Sequence, residues 1–79
     1  MDKRLALILS EVFRLKEKEI NIALTKADVG SWDSLKQMDL VLTLEREYNI
    51  LLTIPDILRM VSVAGIVDVL REKGVALED

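Results

Sequence analysis

Apolar residues recur at helical spacing in two long stretches of this chain. The first stretch predicts a helix over about 3–16, because its apolar positions follow the i, i+3, i+4 pattern of a one-sided helix. These positions are Leu5, Ile8, Leu9, Val12 and Phe13. The second stretch predicts a helix from Ser34 to Glu47 or Tyr48. Asn49 follows it and predicts its end, since Asn tolerates the left-handed conformation that closes many helices.

Two shorter helices are predicted beyond that point. Thr53 can cap a third helix, Pro55 suits its first turn, and Asp56 favours its positive end. This helix must be short, because Ser62 already begins the cap of the next one. Gly74 predicts the end of that fourth helix. The apolar positions of the fourth helix are Val63, Ile66, Val67 and Leu70.

The helical pattern breaks down between the first two helices, over 17–32. A connection of this length is unusual in a compact domain, so we expect apolar anchors to pin it across the bundle. The expected anchors are Ile20, Ile22, Leu24 and Trp32. The prediction is an all-α, four-helix bundle with a long first loop and a short third helix. Residues 1–79 are expected to form one domain, with Glu78 and Asp79 frayed.

The composition disfavours an enzyme. The 79 residues include no His, the commonest general base, and no Cys, so disulfides and thiolate metal sites are excluded. Charged residues make up 32% of the chain, with a net charge of −3 and both signs interspersed, so no nucleic-acid partner is expected. The longest apolar runs fall far short of the about 20 residues of a membrane span. We expect a noncatalytic, cytoplasmic monomer without a signal peptide.

Candidate chemistry is concentrated at the start of the second helix, in residues 30–35, Gly-Ser-Trp-Asp-Ser-Leu. A helix N-terminus has unpaired backbone N–H groups and partial positive charge, so a phosphate attached there is stabilised. Ser34 could also be an ordinary N-cap, as Ser often is. Ser31 and Asp33 offer capping side chains in the same turn, which leaves Ser34 free for another task.

In residue type and spacing, Asp-Ser-Leu at 33–35 resembles the attachment motif of the acyl carrier protein family. The order of long and short helices extends this resemblance over about 3–73. Three further segments carry it: Leu-Glu-Arg-Glu-Tyr at 44–48, Pro-Asp-Ile at 55–57 and Ser-Val at 62–63. The resemblance implies that 4′-phosphopantetheine from coenzyme A is esterified to Ser34 by a phosphopantetheinyl transferase. It also implies that Asp33 helps to position the metal-bound cofactor during this reaction.

The second helix has more apolar positions than one buried stripe needs. At about 100° per residue, one arc holds Leu40, Val41, Leu44 and Tyr48, and a second arc on the side of Ser34 holds Leu35, Met38 and Leu42. Either the helix is buried on two sides, or the second arc meets partner proteins. The resemblance favours partner contacts at Leu35, Met38 and Leu42, flanked by the acids Asp39 and Glu45.

Lys36 and Arg46 depart from the family's pattern, because bacterial fatty-acid carriers usually have acids at both positions. Since charge complementarity selects partners, these cations indicate a dedicated carrier for a specialised fatty-acid or polyketide-type pathway. Acyl groups would be carried as thioesters between an acyl-loading ligase or acyltransferase and synthase enzymes. Two alternatives stay open. One is a peptidyl or aminoacyl carrier serving an adenylation ligase, although the Gly-Gly-x-Ser motif of those carriers is missing. The other is an unmodified helical adaptor.

Overall fold

The structure is a computed structural model that describes residues 1–78. Four α-helices follow one another, with two short 3₁₀ helices in the first loop. The α-helices are α1 (Lys3–Phe13), α2 (Ser34–Tyr48), α3 (Ile54–Arg59) and α4 (Val63–Glu72), and the 3₁₀ helices are Glu17–Glu19 and Lys26–Asp28. The predicted all-α, four-helix bundle with a long first loop and a short third helix is confirmed. No helix in residues 1–78 has the length and apolarity to cross a membrane.

The first helix is shorter than the predicted range 3–16. Asp2 caps its start by accepting a hydrogen bond from the Leu5 amide at 2.9 Å. The helix ends at Phe13 because Arg14 adopts the left-handed conformation, with φ 56°. The Leu15 amide then donates to the Ser10 carbonyl at 3.0 Å. A hydrogen bond of this kind is typical of the C-cap motifs that end many α-helices.

The remaining helix ends follow the sequence closely. α2 stops before Asn49, which has φ 53° as predicted. Thr53 caps α3, and its own amide donates to the Asp56 carboxylate at 2.9 Å, so the two residues satisfy each other as a capping box. Ser62 caps α4, and Gly74 has φ +88° just beyond its end. These predicted start and stop signals are confirmed.

The core lies between α1, α2 and α4, and the first loop closes one side of it. Its most deeply buried residues include Leu5, Leu9, Phe13, Leu40, Leu44, Ile66 and Leu70. Ile20 and Trp32 of the loop are buried, and Leu24 is half-buried, as predicted. The prediction was wrong for Ile22, whose side chain is 52% exposed. The Asn21 side chain accepts a hydrogen bond from the Ala23 amide, which places Ile22 at the tip of a turn.

Backbone hydrogen bonds fasten the first loop to the turn between α3 and α4. The Lys26 amide donates to the Val61 carbonyl at 2.8 Å, and the Val63 amide donates to the Leu24 carbonyl at 2.9 Å. At the chain end, the Glu78 amide donates to the Asp2 carboxylate at 3.0 Å, so the expected fraying of Glu78 was wrong. The fraying expected of Asp79 lies outside the described residues.

The short helix α3 is held against α4 by two ion pairs. Lys73 contacts the Asp56 carboxylate at 2.7 Å. Arg59 makes two parallel bonds to Glu72, at 2.7 and 2.6 Å. The backbones also approach closely, since a Cβ added at Gly65 would lie only 2.3 Å from the Arg59 carbonyl oxygen. Glycine at this position therefore allows α3 to lie on the first turn of α4.

The two apolar arcs of α2 predict unequal effects of truncation. Leu44 is fully buried and Leu42 is 59% exposed. Leu44→Ala should lower the free energy of unfolding by about 2–5 kcal/mol, whereas Leu42→Ala should change it by less than about 0.5 kcal/mol. Urea denaturation of both variants measures the difference. Equal losses of stability would mean that both arcs are buried in solution.

The ion pair of Asp56 predicts a loss of stability in acid. The hydrogen bond from Lys73, and then that from the Thr53 amide, lower the pKa of Asp56 from 3.8 to about 2. This carboxylate therefore stabilises the fold above about pH 4, and the stabilisation is lost as the pH falls through about 2. Wild type should melt at a higher temperature than Asp56→Asn at about pH 4. This difference in melting temperature should shrink as the pH falls to about 2. Glu11→Gln, on the exposed face of α1, is the control for removing one acid. An equal difference at both ends of the range would contradict the prediction.

Candidate functional site

Ser34 is the first residue of α2, but it does not cap the helix. Asp33 is the N-cap, and its Oδ1 accepts a hydrogen bond from the Lys36 amide at 2.9 Å. Ser34 is exposed, and its hydroxyl has no hydrogen-bond partner within residues 1–78. The ordinary interpretation of Ser34 as a plain cap therefore does not hold. Ser31 is not a cap either, because its hydroxyl donates to the Phe13 carbonyl at 3.3 Å.

The other serines of the chain have their hydroxyls in use. Ser10 donates to the Leu7 carbonyl at 2.8 Å, and Ser62 accepts from the Gly65 amide at 2.9 Å. With Ser31 bound to the end of α1, Ser34 alone of the four serines has a hydroxyl without a partner in the described chain. Ser34 lies at the positive end of α2, where an attached phosphate is stabilised. Ser62 also lies at a helix N-terminus, but its hydroxyl is engaged as the cap of α4.

A buried side-chain network fixes the backbone on both sides of Ser34. The Trp32 indole N–H donates to Gln37 Oε1 at 2.6 Å. Gln37 Nε2 donates in turn to the carbonyls of Met60, at 3.0 Å, and Ile57, at 3.3 Å. Sequence reasoning missed Gln37. It lies three residues before Leu40 on the core arc, and a polar residue there signals a buried hydrogen-bonding role.

The second apolar arc of α2 is exposed beside Ser34. Leu35 is 81% exposed, Met38 49% and Leu42 59%. They line an open groove together with Ser31, Asp33, Lys36 and Asp39. On the other arc, Leu40, Val41 and Leu44 are buried, and Tyr48 is half-buried under the Arg4 guanidinium. The predicted division of α2 into a core arc and an exposed apolar arc is confirmed.

The charged side chains of α2 differ in their exposure and in whether they bind other parts of the protein. Asp39 is exposed. Glu45 is half-buried, and its Oε2 accepts a hydrogen bond from the Leu52 amide at 2.9 Å, so this carboxylate holds the loop between α2 and α3. A partner contact at Glu45 stays a prediction. Arg46 is exposed and Lys36 is half-buried. With Glu47 as the third acid, α2 has three acidic and two basic side chains, a net charge of −1. Across residues 1–78, no group of three carboxylates is placed to hold a metal ion.

Comparison with known proteins decides the family. The sequence profile described as a phosphopantetheine attachment site matches residues 3–70. The chain belongs to this family. Its structure is similar to the solution NMR structure of a holo acyl carrier protein from Geobacter metallireducens, with a TM-score of 0.79 and 26% sequence identity over 89% of this chain and 80% of that chain. No curated protein matches the sequence.

As a phosphopantetheine-attachment protein of the acyl carrier type, the chain is a carrier and not an enzyme. Its cofactor is covalently attached 4′-phosphopantetheine. The residues at the start of α2 suit this group, because the free Ser34 hydroxyl lies where the helix end stabilises a phosphate. The arm ends in a thiol, and the chain has no cysteine of its own. Its partners include the transferases and synthases with which such carriers interact.

Proposed function

We propose that this protein carries acyl groups as thioesters on 4′-phosphopantetheine attached to Ser34, for a specialised fatty-acid or polyketide-type pathway. The observation that supports Ser34 most strongly is its hydroxyl, which alone among the four serines has no partner in the described chain. We further propose that residues 1–79 act as one monomeric carrier domain in the cytoplasm.

Asp33 can serve the folded protein and the attachment reaction at the same time. Its Oδ1 caps α2, whereas its Oδ2 has no partner within residues 1–78. Oδ2 is therefore available to the metal-bound coenzyme A in the complex with the phosphopantetheinyl transferase. In that reaction the Ser34 oxygen bonds to the phosphorus of the pantetheine phosphate, the bond to the nucleotide part of coenzyme A breaks, and the hydroxyl proton passes to the transferase.

The exposed arc of α2 is the proposed contact surface for partner enzymes. Leu35, Met38 and Leu42 offer apolar contact next to the arm, and Asp39 offers an acid at the edge of the same groove. Glu45 would contribute less, because its carboxylate already binds the Leu52 amide. The proposed partners are the transferase, an acyl-loading ligase or acyltransferase, and the synthase enzymes that use the thioester.

The mixed charge of α2 supports a specialised pathway. Lys36 and Arg46 bring the helix to a net charge of only −1. A strongly basic patch on a general fatty-acid enzyme would gain little from this surface, because opposite charge mainly raises the rate of encounter. We therefore assign the carrier to enzymes whose docking surfaces match a nearly neutral helix.

Attachment at Ser34 has a direct test. Incubation with coenzyme A and a phosphopantetheinyl transferase should add one phosphopantetheinyl group, located by peptide mass spectrometry on the peptide that contains Ser34. Ser34→Ala should accept nothing and keep its melting temperature, because Asp33 caps α2. Ser31→Ala is the matched control and should still be modified. A group found on Ser10, Ser31 or Ser62 would overturn the assignment.

The charge of α2 should select between partners. Replacing Lys36 and Arg46 by Glu should raise the rate at which a fatty-acid malonyl transferase loads the holo protein, because the enlarged negative charge steers the encounter. The gain should fall as salt increases, since exposed charges are screened within about 10 Å at 0.1 M. Loading rates of wild type and variant across a salt series measure the effect. If the wild type is already loaded as well as a strongly acidic carrier, the protein serves general fatty-acid synthesis.

A further inference from the structure

The interior of the protein is closed at the point of α2 nearest to Ser34. Gln37 is the first buried residue of α2, one helical turn after Ser34. At about 100° per residue, Gln37 lies about 60° around the helix from Ser34, on the side of the core arc. An alkyl chain that is attached at Ser34 and turns inward between α2 and α3 therefore meets Gln37 first.

The amide of Gln37 is fastened on both of its sides. Its Oε1 accepts a hydrogen bond from the Trp32 indole at 2.6 Å, and its Nε2 donates to the carbonyls of Met60 and Ile57 at the end of α3. Trp32 is 3% exposed and Met60 1%. An alkyl chain that displaced this amide would break hydrogen bonds at buried groups, which is costly because water is not there to replace them. The way into the core is therefore closed by hydrogen bonds as well as by packing.

Outside the core, the apolar surface beside Ser34 is the open groove of the exposed arc. Leu35, Met38 and Leu42 line this groove. An alkyl chain that rests in the groove stays exposed to water on one side, so only part of its surface is buried. It would also cover the surface that we propose for contact with partner enzymes. A long alkyl chain is therefore poorly accommodated both inside and outside the fold.

Building on the proposed attachment at Ser34, we propose that this carrier holds its cargo outside the fold, and that the cargo is a short or polar acyl group. Apolar groups gain from burial in proportion to their area, so a long alkyl chain left in water is disfavoured, whereas a short or polar acyl group is not. Gln37 is then the residue that excludes a long chain from the interior. This proposal narrows the cargo of the pathway proposed above.

The test compares acetyl and octanoyl forms of the wild-type protein. A phosphopantetheinyl transferase supplied with acyl-coenzyme A attaches the whole acylated arm to Ser34, and the nucleotide part of coenzyme A is the leaving group. The melting temperatures of the two forms should agree within about 1 °C, because the added CH₂ groups stay in water. In native hydrophobic-interaction chromatography, the octanoyl form should elute clearly later than the acetyl form, because its chain is exposed.

Gln37→Ala is the variant that should open the interior. The missing side chain leaves space beside Trp32 and Met60, which an alkyl chain can fill. The octanoyl form of this variant should melt at least about 3 °C above its own acetyl form. The fluorescence of Trp32, the only tryptophan, should also differ between these two forms.

Thr43→Ala is the matched control. It shortens a half-buried polar side chain of the same helix, about 180° around α2 from Ser34. Its acetyl and octanoyl forms should melt at the same temperature, as in the wild type. Both comparisons are made within one variant, so a change in stability caused by the substitution itself does not affect them.

Each contrary outcome has its own meaning. An octanoyl wild type that melts several degrees above the acetyl form and elutes with it has buried its chain, which overturns the proposal while attachment at Ser34 stands. This wild-type comparison decides the proposal even if Gln37→Ala does not fold. An equal gain in Thr43→Ala and Gln37→Ala, or no gain in a folded Gln37→Ala, overturns the role of Gln37. A wild type that accepts no acylated arm refutes the proposed function itself.

Discussion

The buried amide of Gln37 is the interaction on which the surroundings of Ser34 depend. It joins three segments that are distant in the sequence: the loop at Trp32, the first turn of α2, and the end of α3 at Ile57 and Met60. A buried polar group is costly unless its partners are present, so these segments are stable only in one mutual arrangement. The indole N–H can only donate, which fixes the orientation of the amide.

This arrangement separates the task of folding α2 from the task of carrying a cofactor. Asp33 caps the helix, Ser31 ties the loop to the end of α1, and Trp32 packs on Phe13 with ring centroids 4.4 Å apart. Ser34 is left without a structural bond, although its neighbours on both sides are held. A rigid helix end with a free hydroxyl is suited to an enzyme that must bring a phosphate to one defined position.

The parts of the fold that sequence predicts well are those set by local chemistry. The bounds of α2, the capping box at Thr53 and Asp56, and the stop at Asn49 depend on residues within one turn of each other. The environments of Ile22 and Glu45 are decided by side-chain hydrogen bonds, which the spacing of apolar residues does not predict. A side-chain turn exposes Ile22 despite its apolar character, and Glu45 is engaged by an amide seven residues ahead. The role of Gln37 was missed because two of its partners, Ile57 and Met60, are distant in the sequence.

Gly65 allows the close approach of α3 to α4. α3 has six residues, fewer than the about 12–15 that an isolated helix needs to be even marginally stable in water, so it exists because α4 supports it. Any side chain at Gly65 would meet the Arg59 carbonyl and lift this helix. The adjacent Met60 carbonyl, a partner of Gln37, would move with it. One missing methyl group on the last helix thereby sets the spacing around a serine thirty-one positions earlier in the chain.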